Sequence, residues 1–169
     1  MPSTTSTQKS TSTATTRGAT DAIALLKNDH KEVKTLFKTF EKLHKADGPA
    51  EERSSLATEI CRQLTVHATI EEEIFYPAVR AAGVDADLLD EAQVEHAAAK
   101  ELIAQIESMD PDDALYDAKV TVLGEYVNHH VAEEEDELFP KVRKAKLDLK
   151  SLGEELQSRK DVLVGQMTH

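Results

Sequence analysis

Four long stretches of this chain carry apolar residues at steps of three and four, and each of the four stripes is interrupted by a histidine. The first stripe is Leu26, His30, Val33, Phe37 and Phe40. The second is Leu56, Ile60, Leu64, His67, Glu71, Ile74 and Ala78. The third is Leu89, Ala92, His96, Ala99, Ile103 and Ile106, and the fourth is Tyr116, Val120, Leu123, Val127, His130, Glu134 and Leu138. Such steps put all members of a stripe on one helix face. Four amphipathic helices with short connections predict an all-α, up-down-up-down four-helix bundle. Four imidazoles and two carboxylates then face the core, and burying them with no shared purpose costs several kcal/mol each. A metal removes that cost by binding neutral imidazoles and carboxylates directly.

The site pattern is duplicated. Residues 67–79 read HATIEEEIFYPAV and residues 130–142 read HVAEEEDELFPKV. Both have His, an acid four later, an acidic run, an aromatic and a proline. Residues 29–36 read DHKEVKTL and residues 95–102 read EHAAAKEL, each with an acid before the histidine and Lys four after it. Each half therefore supplies two histidines and one carboxylate. His and Glu four apart share a helix face, and two facing carboxylates suit bridging between two cations. The donor set suits iron or manganese better than zinc, which prefers closed four-coordinate sites. A lone HxxxE occurs by chance; two in the same context, each with an upstream core histidine, form a specific pattern.

Start and stop signals divide the 169 residues. The helical segments run from about Asp21 to His44, with Thr20 as cap; from Pro49 to about Ala82, stopped by Gly83; from Asp85 to about Met109; and from Asp110-Pro111 to about Ala145. A fifth segment, from about Asp148 to Val164, is interrupted by Gly153 and packs outside. Residues 1–20 are Ser/Thr-rich with little to bury, and read as a disordered tail. The expected organisation is thus a tail over 1–20, a four-helix domain over 21–145 and a helical extension over 146–169.

The net charge of −12 and the lack of a basic stripe argue against nucleic-acid binding. No apolar run is long enough to cross a bilayer and no signal-peptide core is present, so no membrane partner is expected. The single cysteine, Cys61, allows no intramolecular disulfide, fits a reducing, cytoplasmic setting, and at an apolar helical position reads as core filler.

The pattern H…HxxxE…H…HxxxE, on His30, His67 with Glu71, His96, and His130 with Glu134, resembles the hemerythrin-like family, also called the HHE cation-binding domain. The resemblance covers about residues 21–145. It implies a non-haem di-iron centre held by these six residues, with both glutamates bridging two irons alongside an oxo or hydroxo group. It implies reaction with, or sensing of, dioxygen, peroxide or nitric oxide. Non-catalytic iron or oxygen sensing, iron storage and iron-centre repair are the alternatives. If the protein is an enzyme, peroxide decomposition or another di-iron oxidoreduction is implied. Oxygen-carrying hemerythrins have HxxxH on the third helix, where this chain has Lys100. They have HxxxxD on the fourth, where this chain has Glu134 at the fourth step and Glu135 at the fifth. Lys100 therefore predicts one coordination position left open.

The remaining candidates have plainer readings. Tyr126, one turn before His130, reads either as a hydrogen-bond donor to the site or as edge packing. His129, about 100° round the helix from His130, reads as a rim histidine. Asp29 and Glu95 read as surface charge, with a hydrogen bond to a ligand imidazole as the sharper alternative. Only one member of each acidic run is expected to face the core. Pro77 and Pro140 are expected to kink their helices just past the metal layer.

Overall fold

The computed structural model describes residues 20–167. The tail expected over 1–20 lies outside the described residues apart from Thr20. Helix α1 spans Ala22–Lys45. Helix α2 spans Ala50–Ile70 and runs through a π-helical turn, Glu71–Phe75, into α3, Tyr76–Ala81. Helix α4 spans Ala86–Ser108. Helix α5 spans Tyr116–Glu133 and runs through a second π-helical turn, Glu134–Leu138, into α6, Phe139–Lys144. Helix α7 spans Leu149–Met167. The rods α1, α2–α3, α4 and α5–α6 form the expected bundle, and α7 lies along α1 and α2.

Three local expectations are corrected. The cap of α1 is Asp21, whose carboxylate accepts from Ala24 N–H at 2.8 Å, not Thr20. The fourth rod does not open at Asp110-Pro111. Asp110 and Asp113 side chains accept backbone N–H groups of residues 112 and 110 at 2.9 and 3.1 Å, which holds turns instead of helix, and α5 starts at Tyr116. Gly153 does not interrupt α7; a methyl there would sit 2.9 Å from the Ala22 nitrogen, so glycine lets α7 press onto the start of α1.

The prolines act differently from simple kinks. Proline lacks an N–H and its ring clashes with the carbonyl four residues back. Here the ladder widens one turn earlier: Tyr76 N–H donates to the Glu71 carbonyl and Phe139 N–H to the Glu134 carbonyl, both across five residues. Each wide turn therefore starts at a candidate ligand, a common place for π-helical turns.

Apolar packing divides into two clusters. One gathers Leu26, Ile70, Phe75, Leu89, Phe139 and Leu156; the other gathers Phe40, Ile60, Cys61, Val120 and Leu123. Each fully buried Leu or Ile contributes about 1.5–3 kcal/mol. The histidine layer lies between the two. Cys61 is buried core, as expected, and burial reinforced by the charge of Glu107 pushes its thiol up to about 12.

Candidate metal centre

The bundle brings all six sequence-predicted residues together. His30, His67, Glu71, His96 and Glu134 are buried, and the His130 side chain is only 12% exposed. Their donor atoms form two groups, His30 with His67 and Glu134, and His96 with His130, Glu71 and Glu134. Glu134 belongs to both. Glu71 also faces both sides, with Oε1 2.8 Å from His67 Nε2 and 3.6 Å from His96 Nε2. Neither half of the duplicated pattern is a site alone; the carboxylate of each faces imidazoles of the other.

Three of the four rings are oriented from behind. His67 Nδ1 donates to Asp29 Oδ2 at 2.9 Å, His130 Nδ1 to Glu95 Oε1 at 3.1 Å, and His96 Nδ1 to Glu72 Oε2 at 3.2 Å. His30 Nδ1 is 3.9 Å from Glu135 Oε2. An acid on Nδ1 fixes the tautomer that leaves the Nε2 lone pair facing inward. This corrects the surface-charge reading of Asp29 and Glu95. Glu72, beside the core-facing Glu71 in its acidic run, thus also holds a ring in place. The acid beside each upstream histidine serves the downstream histidine of the same half: Asp29 holds His67, and Glu95 holds His130.

Tyr76 was missed by sequence reasoning. Its ring is buried, and its hydroxyl lies 3.3 Å from both His96 Nε2 and His130 Nε2 and donates to Glu134 Oε1. In a regular helix the fifth residue after Glu71 would be turned about 140° away; the π turn brings it inward. Phe139 holds the same place after Glu134, and stacks on His30 with ring centroids 5.9 Å apart. That one difference makes the halves chemically unequal. The shared place of Tyr76 and Phe139 in the repeat was the available signal.

Tyr126 and His129 are not in the centre. Tyr126 is half-exposed and lines a cavity of about 700 Å³ whose wall includes His30, His67, His96 and His130. His129 is exposed, 3.1 Å from Glu133 and 3.6 Å from Glu95, as its rim reading predicted. Lys100 extends to solvent and pairs with Glu72.

The electrostatics follow from carboxylates and imidazoles buried side by side. Burial alone lowers His67, but the charge of Glu71 and the hydrogen bond to Asp29 hold it up at about 10. Burial likewise opposes His130, which the Glu134 carboxylate and Glu95 raise to about 11. Burial and the neighbouring Glu134 charge raise Glu71 to about 8. Burial and the charge of His130 push His96 down to about 4. Metal must displace protons from the raised groups. Loading at pH 7 is therefore expected to release at least one proton per chain, read with an indicator dye. Affinity should rise about tenfold per pH unit for each proton released.

A metal fits these residues on structural grounds. His30 Nδ1 and Nε2, His67 Nε2, both Glu71 oxygens and Glu134 Oε2 are buried with no aligned hydrogen-bond partner among the described residues. Buried polar atoms are normally satisfied, and these converge on one layer.

The sequence profile described as Hemerythrin HHE cation binding domain matches residues 21–142. The chain belongs to the hemerythrin HHE cation-binding family. The crystal structure of a hemerythrin HHE cation binding domain-containing protein from Mycobacterium kansasii superposes with a TM-score of 0.72 at 25% identity, covering 86% of this chain and 88% of that one. A DNA nickase from Nostoc sp. (strain PCC 7120) is 31% identical over 119 residues, 70% of this chain. The match spans 32% of that relative's length. Among the described residues of this HHE-family chain, no helix is long and apolar enough to cross a membrane.

Proposed function

We propose that this HHE-family protein holds two irons through His30, His67, Glu71, His96, His130 and Glu134, and reacts with or senses dioxygen, peroxide or nitric oxide. The observation that carries this reading is the set of buried, unpartnered donor atoms converging from both halves of the duplication. Glu71 and Glu134, whose carboxylates face imidazoles of both halves, would be the ligands shared between the two ions. Four imidazoles and two carboxylates would give an oxygen and nitrogen environment that suits iron or manganese more than zinc. When bound, an iron pair would supply the redox chemistry, giving electrons to a small oxidant such as dioxygen or peroxide.

The chain's own residues set the conditions for that exchange. Asp29, Glu95 and Glu72 fix three of the rings. Tyr76 donates to Glu134 and offers a proton beside His96 and His130; burial and the Glu134 and Glu71 charges raise its phenol well above its usual value, so it stays protonated without metal. The apolar-walled cavity along His67, His96, Ala99, Ile103, Val127 and Val131 gives a small molecule a path to the histidine layer. Phe139 keeps the His30 side free of a competing hydroxyl.

Metal analysis with an absorption spectrum, before and after peroxide, tests the reading. About two irons per chain and near-ultraviolet charge-transfer bands are expected. One tightly held zinc with no room for a second metal would overturn it. Spectral change without turnover of peroxide would favour the sensing or storage form of the reading over the catalytic one.

Tyr76→Phe is expected to keep both metals and weaken their affinity by about 10–100-fold, the usual cost of losing a group that orients a ligand. Chelator competition measures it. The ring keeps its packing, but buried Glu134 loses its donor, so the metal-free protein should also melt lower.

A further inference from the structure

Helix α7 lies beyond the family match, yet one of its side chains reaches the centre. Lys160 Nζ donates to Asp29 Oδ1 at 2.6 Å, and Asp29 Oδ2 accepts from His67 Nδ1 at 2.9 Å. The Asp29 side chain is 10% exposed and Lys160 25%. This chain of contacts runs from the C-terminal helix through α1 to α2 and ends on the ring whose Nε2 faces Glu71. Its neighbour Arg159 ties α7 to the π turn through both oxygens of Glu73, at 2.7 and 3.2 Å.

The opposite half is built otherwise. Glu95, which does for His130 what Asp29 does for His67, has the exposed imidazole of His129 behind it, 3.6 Å away, where Asp29 has an ammonium. A carboxylate on Nδ1 strengthens an imidazole as a donor. A fixed cation on that carboxylate draws its charge away and weakens the effect. The two histidines therefore differ in donor strength although both carry an acid.

We propose that Lys160 is a positioning residue of the metal centre, which compensates the Asp29 carboxylate, sets the donor strength of His67 and makes the C-terminal helix part of the site. This rests on the two-iron reading above. Removing the cation leaves Asp29 more negative and His67 a stronger donor, which favours the ferric over the ferrous state. The midpoint potential of the pair should fall.

The experiment is a redox titration of the iron-loaded full chain, followed by its absorption spectrum, in wild type, Lys160→Gln, Lys160→Arg and Arg159→Gln. Lys160→Gln keeps a donor for Asp29 and removes the charge. It is expected to shift the ferric-over-ferrous preference about tenfold, equivalent to about 59 mV for a one-electron step. Lys160→Arg should restore the wild-type value. Arg159→Gln loosens α7 without touching Asp29, and should lower the melting temperature while leaving the potential in place. If Lys160→Gln and Arg159→Gln lower the melting temperature alike and neither moves the potential, Lys160 is only a strap and the proposal falls. A wild type that holds no iron pair would instead bring down the two-iron reading, and this proposal with it.

Discussion

Glu134→Ala is expected to abolish the paired site, with metal affinity falling by more than about a hundredfold. Outer groups that only orient a ligand already cost about 10–100-fold when removed, and Glu134 is a donor in both groups of the centre. Its carboxylate sits 3.2 Å from His30 Nε2 and 3.1 Å from His130 Nε2, so no other side chain replaces it on either side. Glu71→Ala should act the same way, because Glu71 Oε1 faces His67 and His96. Glu137→Ala, on the exposed side of the same acidic run, is the control and should bind metal as wild type does. Glu72→Ala should fall between, since it leaves His96 Nδ1 and Lys100 without their shared partner. Metal content after dialysis, with chelator competition, measures all four. Retention of two metals by Glu134→Ala would defeat its bridging assignment.

Stripping the metal is expected to lower the melting temperature by roughly 5–11 °C. A ligand present at a hundredfold excess over its dissociation constant stabilises by about 2.7 kcal/mol, and a domain of this size gains roughly 2–4 °C per kcal/mol. The difference should widen with pH. In the metal-free protein His67 and His130 stand at about 10 and about 11, against 6.5 unfolded, and Glu71 at about 8, against 4.5. A raised group binds its proton more tightly when folded. Its contribution is complete below the unfolded value and is lost as pH rises through the folded one. All three have this sign, so metal-free protein should lose stability between about pH 7 and 10. His30 and His96 are lowered and titrate below that window. The loaded protein has already given up those protons and should show a flatter profile. Calorimetry at pH 7, 8 and 9 on both forms checks this. Equal melting temperatures in a sample proven to carry metal would place the ions outside the core.

The six inward-facing residues were legible because helical periodicity is a strong signal when polar residues break an apolar stripe, and because the halves repeat the break. What periodicity could not supply were contacts between helices. Asp29 and Glu95 each sit about 100° from the stripe on their own helix. That suggests solvent, until the helix holding the downstream histidine is packed alongside. Tyr76 was hidden for another reason: counting at 3.6 residues per turn sends it away from Glu71, and only the wide turn returns it. The start of α5 was misplaced because Asp-Pro is a good helix opening in isolation, whereas three aspartates within four residues compete for the backbone donors.

The two π turns work as one device used twice. A π turn holds one residue more than the α-helical turn it replaces. Both occur at the same position of the repeat, from a core glutamate to the residue before an aromatic-proline pair. Each swings the aromatic that follows it toward the histidine layer, so identical backbone geometry delivers a hydroxyl at Tyr76 and a bare ring at Phe139.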